Sequence, residues 1–510
     1  MYITRLLCLI VLAAVLNICA AARPALPFAP CSRAVKDTVE PVIHGDFADP
    51  SVIRVGNIYY ATGTSSEWAP HYPLFRSGDL VHWKQSGYIF NKAPDWTSSS
   101  FWAPELLYRK GTYYVYYTAR KKSDGISCIG VATSDDPEKG FTDRGIIVEF
   151  GKEAIDAFMV EENGVWYITF KAYGLDNRPI ELLGYQLSED GLKTVGQAFM
   201  LLRDDDRKGM EGQCIVRRNN YYYLLYSAGG CCGLQCSYHV NVARSRTLKG
   251  PYTRFEGNPV MAAFDGWKCT GHGTVVTGKN GADYYLFHAY NNRTDVHTGR
   301  QGMLARLNWD TKTGWPSFDP VAGEPVRDFS DDFSKGSLGP EWQWDFRHTQ
   351  PLVRPGKGRL YLSGTAGLEN RTGTALTVRP YYGNYEMTTA VLNRNSALKG
   401  LTVYADADQA VGIGIKNDSI EVWCVKDNIR RVLGRVKVNG LPTCYLKMTV
   451  TDGQRLGFYW SGNQRSWNEV RVADAGISQF LPPWDRSSRP GLLQQGTGPA
   501  AFGFFRIRYF

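Results

Sequence analysis

A pattern that recurs five times in the first 310 residues limits the possible folds more than any other feature of the chain. Each copy has an acidic residue or a histidine, a short apolar stretch, a polar turn with Gly or Asn, and an aromatic stretch. The copies begin 51 to 61 residues apart, a length that holds one four-stranded antiparallel sheet. The leading residues are Asp49, Glu105, Asp156, Glu211 and His272.

Repeated sheets of this size pack radially, which buries both faces of each sheet and brings the start of every innermost strand to the central axis. The repeat therefore predicts an all-β chain with a five-bladed β-propeller over residues 40–322. The five leading residues would then converge at one end of the axial channel. Four carboxylates and a histidine repel one another unless a cation, a proton or a substrate relieves the charge, so this convergence predicts an active site.

Composition agrees with a folded β protein. The 510 residues are 43% hydrophobic and 21% charged, which excludes a disordered chain, and 30 Tyr, 23 Phe, 14 Trp and 53 Gly favour strands and turns. The net charge is +9, but the basic residues are scattered, so we predict no nucleic-acid partner.

The N-terminal residues 1–22 are typical of a secretory signal peptide, with Arg5, an apolar run over 6–18 and small residues after it. The run is too short to span a bilayer, so we expect no membrane span and a secreted or periplasmic protein. A lipid anchor on Cys19 is the less favoured alternative, because Leu16, Asn17 and Ile18 form a poor lipobox.

After the signal peptide nine cysteines remain, an odd number. Cys231, Cys232 and Cys236 lie close together, but no second cysteine pair follows at zinc-finger spacing. Because an exported chain favours disulfides, we interpret this segment as a disulfide-stapled loop, with the pairing left open.

The propeller pattern stops after Trp309, and residues 328–510 consist of short alternating strands. In one of them Leu446, Met448 and Val450 alternate with polar residues before an Asp-Gly turn. This region predicts a β-sandwich of the jelly-roll kind. We assign its tryptophans to the core, and we expect one of its loops to close the side of the propeller pocket.

Carboxylates on different strands can divide acid and base work, as glycoside hydrolysis requires. Taken together, several short motifs over residues 40–320 resemble glycoside hydrolase family 43. These motifs are Gly45–Val52, Tyr72–Trp83, Phe101–Leu106, Ile155–Asp156, Glu211–Gly212, Gly271–Gly273 and Phe287–His288. The resemblance implies an inverting hydrolase with Asp49 as general base, Glu211 as general acid and Asp156 as the residue that tunes and orients the acid. It also implies a concanavalin-like sandwich.

We further expect Phe101 and Trp102 to stack on sugar, and Glu105 and His272 to contact substrate. No cofactor is required; the resemblance leaves axial calcium open, and no metal ligand is assigned. The expected substrate is a plant polysaccharide or oligosaccharide carrying terminal α-L-arabinofuranose or β-D-xylose. A β-galactosidase acting on galactan and a non-catalytic carbohydrate-binding propeller are the alternatives, and Gln213, where many relatives have Pro, puts the substrate in doubt. The oligomeric state stays open.

Overall fold

Five four-stranded antiparallel sheets follow one another along the chain in the computed structural model, which describes residues 39–472, 481 and 483–510. The prediction of an all-β chain with a five-bladed propeller is confirmed. The signal peptide predicted for residues 1–22 lies outside the described residues. The strands are Ser51–Val55, Ile58–Thr62, His71–Ser77 and Trp83–Phe90 in blade 1; Thr97–Arg109, Thr112–Lys121, Ser127–Ser134 and Thr142–Val148 in blade 2; Ala154–Glu162, Val165–Ala172, Ile180–Leu187 and Thr194–Asp204 in blade 3; Met210–Arg218, Tyr221–Ala228, His239–Ser245 and Thr253–Arg254 in blade 4; and Trp267–Thr277, Asp283–Asn291, Arg300–Trp309 and Pro316–Val321 in blade 5.

Short turns join the first two strands of each blade. In blade 3, for example, Asn163 and Gly164 have φ angles of 52° and 82°, the left-handed conformation that a tight hairpin turn requires. Asn and Gly adopt it at little cost, which is why the polar turn in every repeat marks a hairpin.

Five hydrophobic clusters separate the five blades, one between each neighbouring pair. Representative members are Leu74 and Val115, Ile129 and Phe170, Leu182 and Leu224, Leu225 and Phe287, and Leu286 and Val52, in order around the ring. The last cluster joins blade 5 to blade 1 and closes the ring. The chain before blade 1 supports this closure, since Ile43 and Gly302 exchange backbone hydrogen bonds and the amide of Phe47 donates to the Arg300 carbonyl at 2.6 Å.

The C-terminal part is a β-sandwich of two antiparallel sheets, also as predicted. Sheet A contains Phe329–Asp331, Thr349–Gly356, Arg359–Ala366, Tyr385–Leu392, Thr443–Thr451, Arg455–Ser461, Asn468–Glu469 and Ala500–Tyr509, and sheet B contains Thr374–Thr377, Leu398–Asp406, Gln409–Lys416, Ser419–Lys426, Ile429–Lys437 and Arg489–Gln495. Leu446, Met448 and Val450 all point into the core. Trp342 and Trp423 are buried, in agreement with a structural role.

A pair of short strands, Trp68–Ala69 and Trp344–Asp345, joins the propeller to the sandwich. Trp68 is 1% exposed and packs in a cluster with Tyr404 and Trp423 of sheet B. The guanidinium of Arg489 lies 4.2 Å from the centre of the Trp68 ring. The two parts therefore share a buried interface, and the described residues of both belong to one compact unit.

Helix is almost absent from the described residues. Two short 3₁₀ helices, Pro137–Lys139 and Asp295–Thr298, occur there. Neither these nor any other helix in that part of the chain has the length and apolar character needed to cross a membrane.

Candidate active site

Left-handed backbone conformations occur at or just before the inner part of the first strand in every blade, and blades 2 and 5 each have a second such residue, Ser100 and Cys269. One position in each blade also forms a hydrogen bond to the preceding blade. The five residues and their φ angles are Asp49 (51°), Ala103 (40°), Asp156 (60°), Gly212 (59°) and His272 (40°). In blades 2 to 5 the pairing of the first two strands shifts register across this residue. Such bulges turn a side chain away from the regular alternation of a strand, and here they occur where the strands approach the propeller axis.

The backbone N–H of each of these five residues donates a hydrogen bond to a side chain of the preceding blade. The acceptors are His288 Nδ1 for Asp49 (3.0 Å), Thr64 Oγ1 for Ala103 (2.9 Å), Thr118 Oγ1 for Asp156 (3.2 Å), Asp156 Oδ2 for Gly212 (3.1 Å) and Ser227 Oγ for His272 (2.7 Å). We call this set the interblade ring. These hydrogen bonds pair the backbone amides that the bulges remove from the strand ladders. They also fix the bulged residues relative to one another.

A cavity of about 250 Å³ lies at this end of the axis. It brings together five of the residues selected from the sequence: Asp49, Asp156, Glu211, His272 and Trp102. The other lining residues are Arg120, Glu153, Ile155, Lys171, Leu175, Cys231, Cys232, Arg300, Trp484 and Asp485.

Phe101 and Glu105 do not line this cavity, so their placement does not fit the expected contact with substrate. Phe101 is fully buried and stacks on His71 with 3.9 Å between ring centres. The Glu105 carboxylate is buried and accepts a hydrogen bond from Thr274 Oγ1 at 3.3 Å. The physical reason is the bulge: Ala103 holds the left-handed position in blade 2, and Glu105 lies two residues beyond it.

Asp49 is surrounded by hydrogen-bond donors and basic side chains. Its carboxylate accepts hydrogen bonds from Thr64 Oγ1 at 2.6 Å and Arg300 Nη1 at 3.2 Å, and His272 Nδ1 lies 3.4 Å away. Burial by itself would raise the pKa of Asp49, but the charge of Arg300, together with the nearby His272 and the hydrogen bond from Thr64, outweighs it and holds the pKa far below its usual range. Asp49 is thus ionised at neutral pH.

Asp156 and Glu211 interact electrostatically, and their surroundings shift their pKa values in opposite directions. Burial, assisted by the Glu211 charge, raises the pKa of Asp156 despite the opposing effect of His272. Burial also acts to raise the pKa of Glu211, but Lys171 Nζ, 2.6 Å from Glu211 Oε2, outweighs it and lowers that pKa. Tyr238 Oη donates a hydrogen bond to Glu211 Oε1 at 2.9 Å. A proton held by the pair therefore resides on Asp156 in the free protein.

The repeat and the family motifs do not identify Lys171 or Arg300, although both side chains form hydrogen bonds to the proposed catalytic carboxylates. Lys171 interrupts the apolar run of the second strand in blade 3, and a charge buried in such a strand needs a partner. That signal was available in the sequence. Arg300 begins the third strand of blade 5 and is 4% exposed, whereas Arg293, in the preceding loop, is exposed.

The sandwich supplies one side of the cavity through residues 484–487, just before a sheet B strand. Asp485 Oδ2 accepts a hydrogen bond from Trp102 Nε1 at 3.3 Å, and the Asp485 carbonyl accepts one from Arg300 Nη2 at 3.0 Å. The amide of Ser487 donates to Asp46 Oδ2 at 2.8 Å. Asp46, which also accepts the Arg300 amide at 3.1 Å, anchors this segment rather than lining the cavity.

The one group of potential metal ligands found among the described residues lies outside this cavity. Asp345, His348 and Asp406 place ligand atoms within 4.8 Å of one another. Arg486 donates a hydrogen bond to Asp406, so the positive charge of this arginine already balances part of the negative charge of the two aspartates.

The disulfide-stapled loop contains Cys231–Cys232, a bond between adjacent residues, and Cys236 pairs with Cys269. Cys128, Cys214 and Cys444 are buried thiols.

Comparison with known families accounts for this combination of propeller, cavity and sandwich. The sequence profile described as "Glycosyl hydrolases family 43" matches residues 38–316, more than half of the chain. The chain belongs to glycosyl hydrolase family 43. It is therefore a glycoside hydrolase. A second profile, "Beta xylosidase C-terminal Concanavalin A-like domain", matches residues 330–480, which agrees with the predicted concanavalin-like sandwich.

Several curated relatives have names that include an activity. The extracellular exo-α-(1→5)-L-arabinofuranosidase ArbA of Cellvibrio japonicus is 29% identical to this family 43 chain over 54% of the chain and 86% of its own length. The non-reducing end α-L-arabinofuranosidase BoGH43B of Bacteroides ovatus is 28% identical over 66% of each protein. A β-xylosidase of Formosa agariphila is 24% identical over 68% of the chain and 65% of its own length.

Some solved family 43 structures share both the propeller and the sandwich. The BlXynB protein from Bacillus licheniformis superimposes with a TM-score of 0.78 at 22% identity and covers 93% of the chain and 100% of its own. The GH43B structure from the Bacteroides ovatus xyloglucan locus has the same TM-score at 21% identity, with the same coverage.

Proposed function

We propose that this family 43 enzyme releases terminal pentose, α-L-arabinofuranose or β-D-xylose, from plant cell-wall polysaccharides or their fragments with inversion of configuration. The observation that carries the proposal is the meeting of Asp49, Asp156 and Glu211 in one small cavity with opposite electrostatic environments. The names of the relatives, arabinofuranosidases and xylosidases, support the choice of a pentose.

In this mechanism Asp49 acts as the general base. It stays ionised because Arg300 and His272 favour its charge, so it can accept a proton from a water molecule that attacks the anomeric carbon. Thr64 and Arg300 hold the carboxylate in place. The C–O bond to the leaving sugar breaks as the new bond to water oxygen forms.

Glu211 acts as the general acid and protonates the departing oxygen. It must take up a proton before the reaction, and Asp156, which holds the proton of the pair, lies beside it, with its carboxylate bonded to the amide of Gly212. A substrate that excludes water from the cavity raises the cost of an ionised Glu211, and the proton then moves to the acid.

We assign exo action to the enzyme because the cavity is small and closed on one side by the sandwich. A volume of about 250 Å³ accommodates one sugar ring better than a continuous chain. Trp484 and Asp485, which belong to the sandwich, line the cavity on that side. We also propose that the protein is secreted or periplasmic, which the extracellular names of its relatives support.

The test is hydrolysis of aryl α-L-arabinofuranoside, β-D-xyloside and β-D-galactoside by the purified mature protein, with Asp49→Asn as the control. We expect release from one of the two pentosides and a loss of at least about 100-fold in the control, because removal of a general base commonly costs 10²–10⁴ in rate. Preference for the galactoside would support the galactan alternative. Binding of oligosaccharides without release would support the binding propeller.

A further inference from the structure

The disulfide between Cys231 and Cys232 lies in the wall of the active-site cavity. Both cysteines are half-exposed and line the cavity together with Glu211 and Trp484. They follow the second strand of blade 4, in which Ser227 is the register partner of Glu211. The mechanism described above uses neither sulfur.

The loop that carries this disulfide is held on several sides. Cys236 is bonded to Cys269 of blade 5, and Gly230 and Ser237 are joined by a backbone hydrogen bond of 2.9 Å and a side-chain bond of 3.0 Å. The amide of Gly233 donates to Tyr290 Oη at 3.4 Å. The loop therefore presents its sulfurs from a fixed position.

The disulfide lies on the side of the cavity that holds the acid. Cys231 packs against a buried cluster that contains Tyr238 and Tyr290, and the hydroxyl of Tyr238 donates directly to Glu211. In the proposed function, Glu211 protonates the oxygen between the terminal sugar and the rest of the substrate. Groups next to Glu211 therefore face the leaving group.

We propose that the Cys231–Cys232 disulfide is a rigid apolar wall for the leaving-group sugar and so a determinant of substrate specificity, an inference that rests on the proposed function. Its sulfurs are polarisable and make favourable contacts with apolar surface, such as the C–H face of a sugar ring. The bond between adjacent residues also removes the free rotation of both side chains, so that binding a sugar costs little rotamer entropy.

The test compares Cys231→Ala/Cys232→Ala with the wild-type protein on the disaccharide of the sugar that the wild type releases. We expect KM for the disaccharide to rise about tenfold, which corresponds to about 1.4 kcal/mol, because the leaving sugar loses its wall. The inhibition constant of the free monosaccharide should stay within about twofold, a change of less than about 0.5 kcal/mol, since this product occupies only the terminal-sugar site.

Cys236→Ala/Cys269→Ala is the matched control, because its disulfide fixes the same loop but does not line the cavity. We expect it to lower thermal stability while KM for the disaccharide changes much less. If the alanine variant does not fold, the Cys231–Cys232 disulfide of the wild-type protein is reduced and alkylated instead, and mass spectrometry identifies the modified cysteines. The intact and modified proteins are then compared on the same disaccharide.

An unchanged KM for the disaccharide would overturn the inference. An equal rise in the monosaccharide inhibition constant would also overturn it, because the wall would then belong to the terminal-sugar site. Equal losses in both disulfide variants would assign the effect to the loop. A wild-type protein that releases no pentose would instead contradict the proposed function.

Discussion

At the scale of single residues, carboxyl groups that lie close together in the cavity differ in pKa and therefore in charge. Arg300 and the nearby His272 hold Asp49 ionised, while burial keeps a proton on Asp156. Such separation of pKa values is what acid–base catalysis by two carboxyl groups requires. Lys171 is unexpected in this site, because it stabilises the ionised form of Glu211, which we assign as the acid.

Glu211→Ala tests the assignment of the acid. We expect kcat/KM to fall about 10²–10⁴-fold on an oligosaccharide, the range typical of a lost general acid. The loss on an aryl glycoside should be far smaller, because a good leaving group needs little protonation. Parallel kinetics on the two substrates make the comparison, and equal losses would exclude Glu211 as the acid.

Lys171→Met tests how the lysine acts on the acid. Lys171 lowers the pKa of Glu211, so its removal raises that pKa. Because a general acid works only when protonated, activity that the wild type loses as pH rises should persist to higher pH in the variant. The measurement is the pH profile of kcat/KM, with Lys171→Arg as the charge-preserving control. If kcat/KM of the variant falls at the same alkaline pH as in the wild type, Lys171 has no influence on the acid.

At the scale of strands and turns, the repeat found in the sequence predicts the blades correctly because each copy contains a complete hairpin signal. The bulges in the first strands of blades 2 to 5 leave no comparable signal in the sequence. Aligning the copies on their polar residues places Glu105 at the axial position, whereas the structure has Ala103 there. The two-residue offset explains why Glu105 is buried away from the cavity, although Asp49, Asp156, Glu211 and His272 line it. Phe101 is instead buried in its stack on His71.

Glu105→Gln tests this placement through stability. Burial raises the pKa of Glu105 from its ordinary 4.5 to about 8, so the folded protein binds this proton more tightly than the unfolded chain. The contribution to stability is complete below about pH 4.5 and is lost as pH rises through 8. Urea unfolding should show the wild type losing stability over this range relative to Glu105→Gln.

The surface variant Glu189→Gln is the control and should reproduce the wild-type pH dependence, because Glu189 is exposed. A Glu105→Gln protein whose pH dependence equals that of the wild type would contradict the buried neutral carboxyl. Loss of activity without any change in stability would instead favour a role in substrate binding.

At the scale of the whole molecule, the sandwich completes the propeller cavity. Residues 484–487 are far in sequence from every blade, yet Asp485 bonds both Trp102 and Arg300. The sequence predicts that some sandwich loop closes the pocket, but a contact across nearly 400 positions has no local signal that would identify the loop. The boundaries 40–322 and 328–510 stay predictions.

Trp68→Ala tests the coupling of the two parts. Trp68 is 1% exposed in the interface cluster, and truncation of a buried tryptophan commonly costs about 3–5 kcal/mol. We expect a loss of that size in the free energy of unfolding from chemical denaturation. Trp484→Ala, at a position that is 59% exposed, should change stability much less. Equal effects of the two substitutions would argue against a cooperative interface.

The central claim is that Asp49 activates water for direct displacement while Glu211 protonates the leaving oxygen. Proton NMR during hydrolysis of an arabino- or xylo-oligosaccharide tests it most directly, because it identifies the anomer of the released pentose before mutarotation. The account predicts that the first sugar detected has the configuration opposite to that of the cleaved linkage, and that Asp49→Asn gives no signal over the same time. A first product that retains the configuration would contradict the account, since it requires two successive displacements at the anomeric carbon.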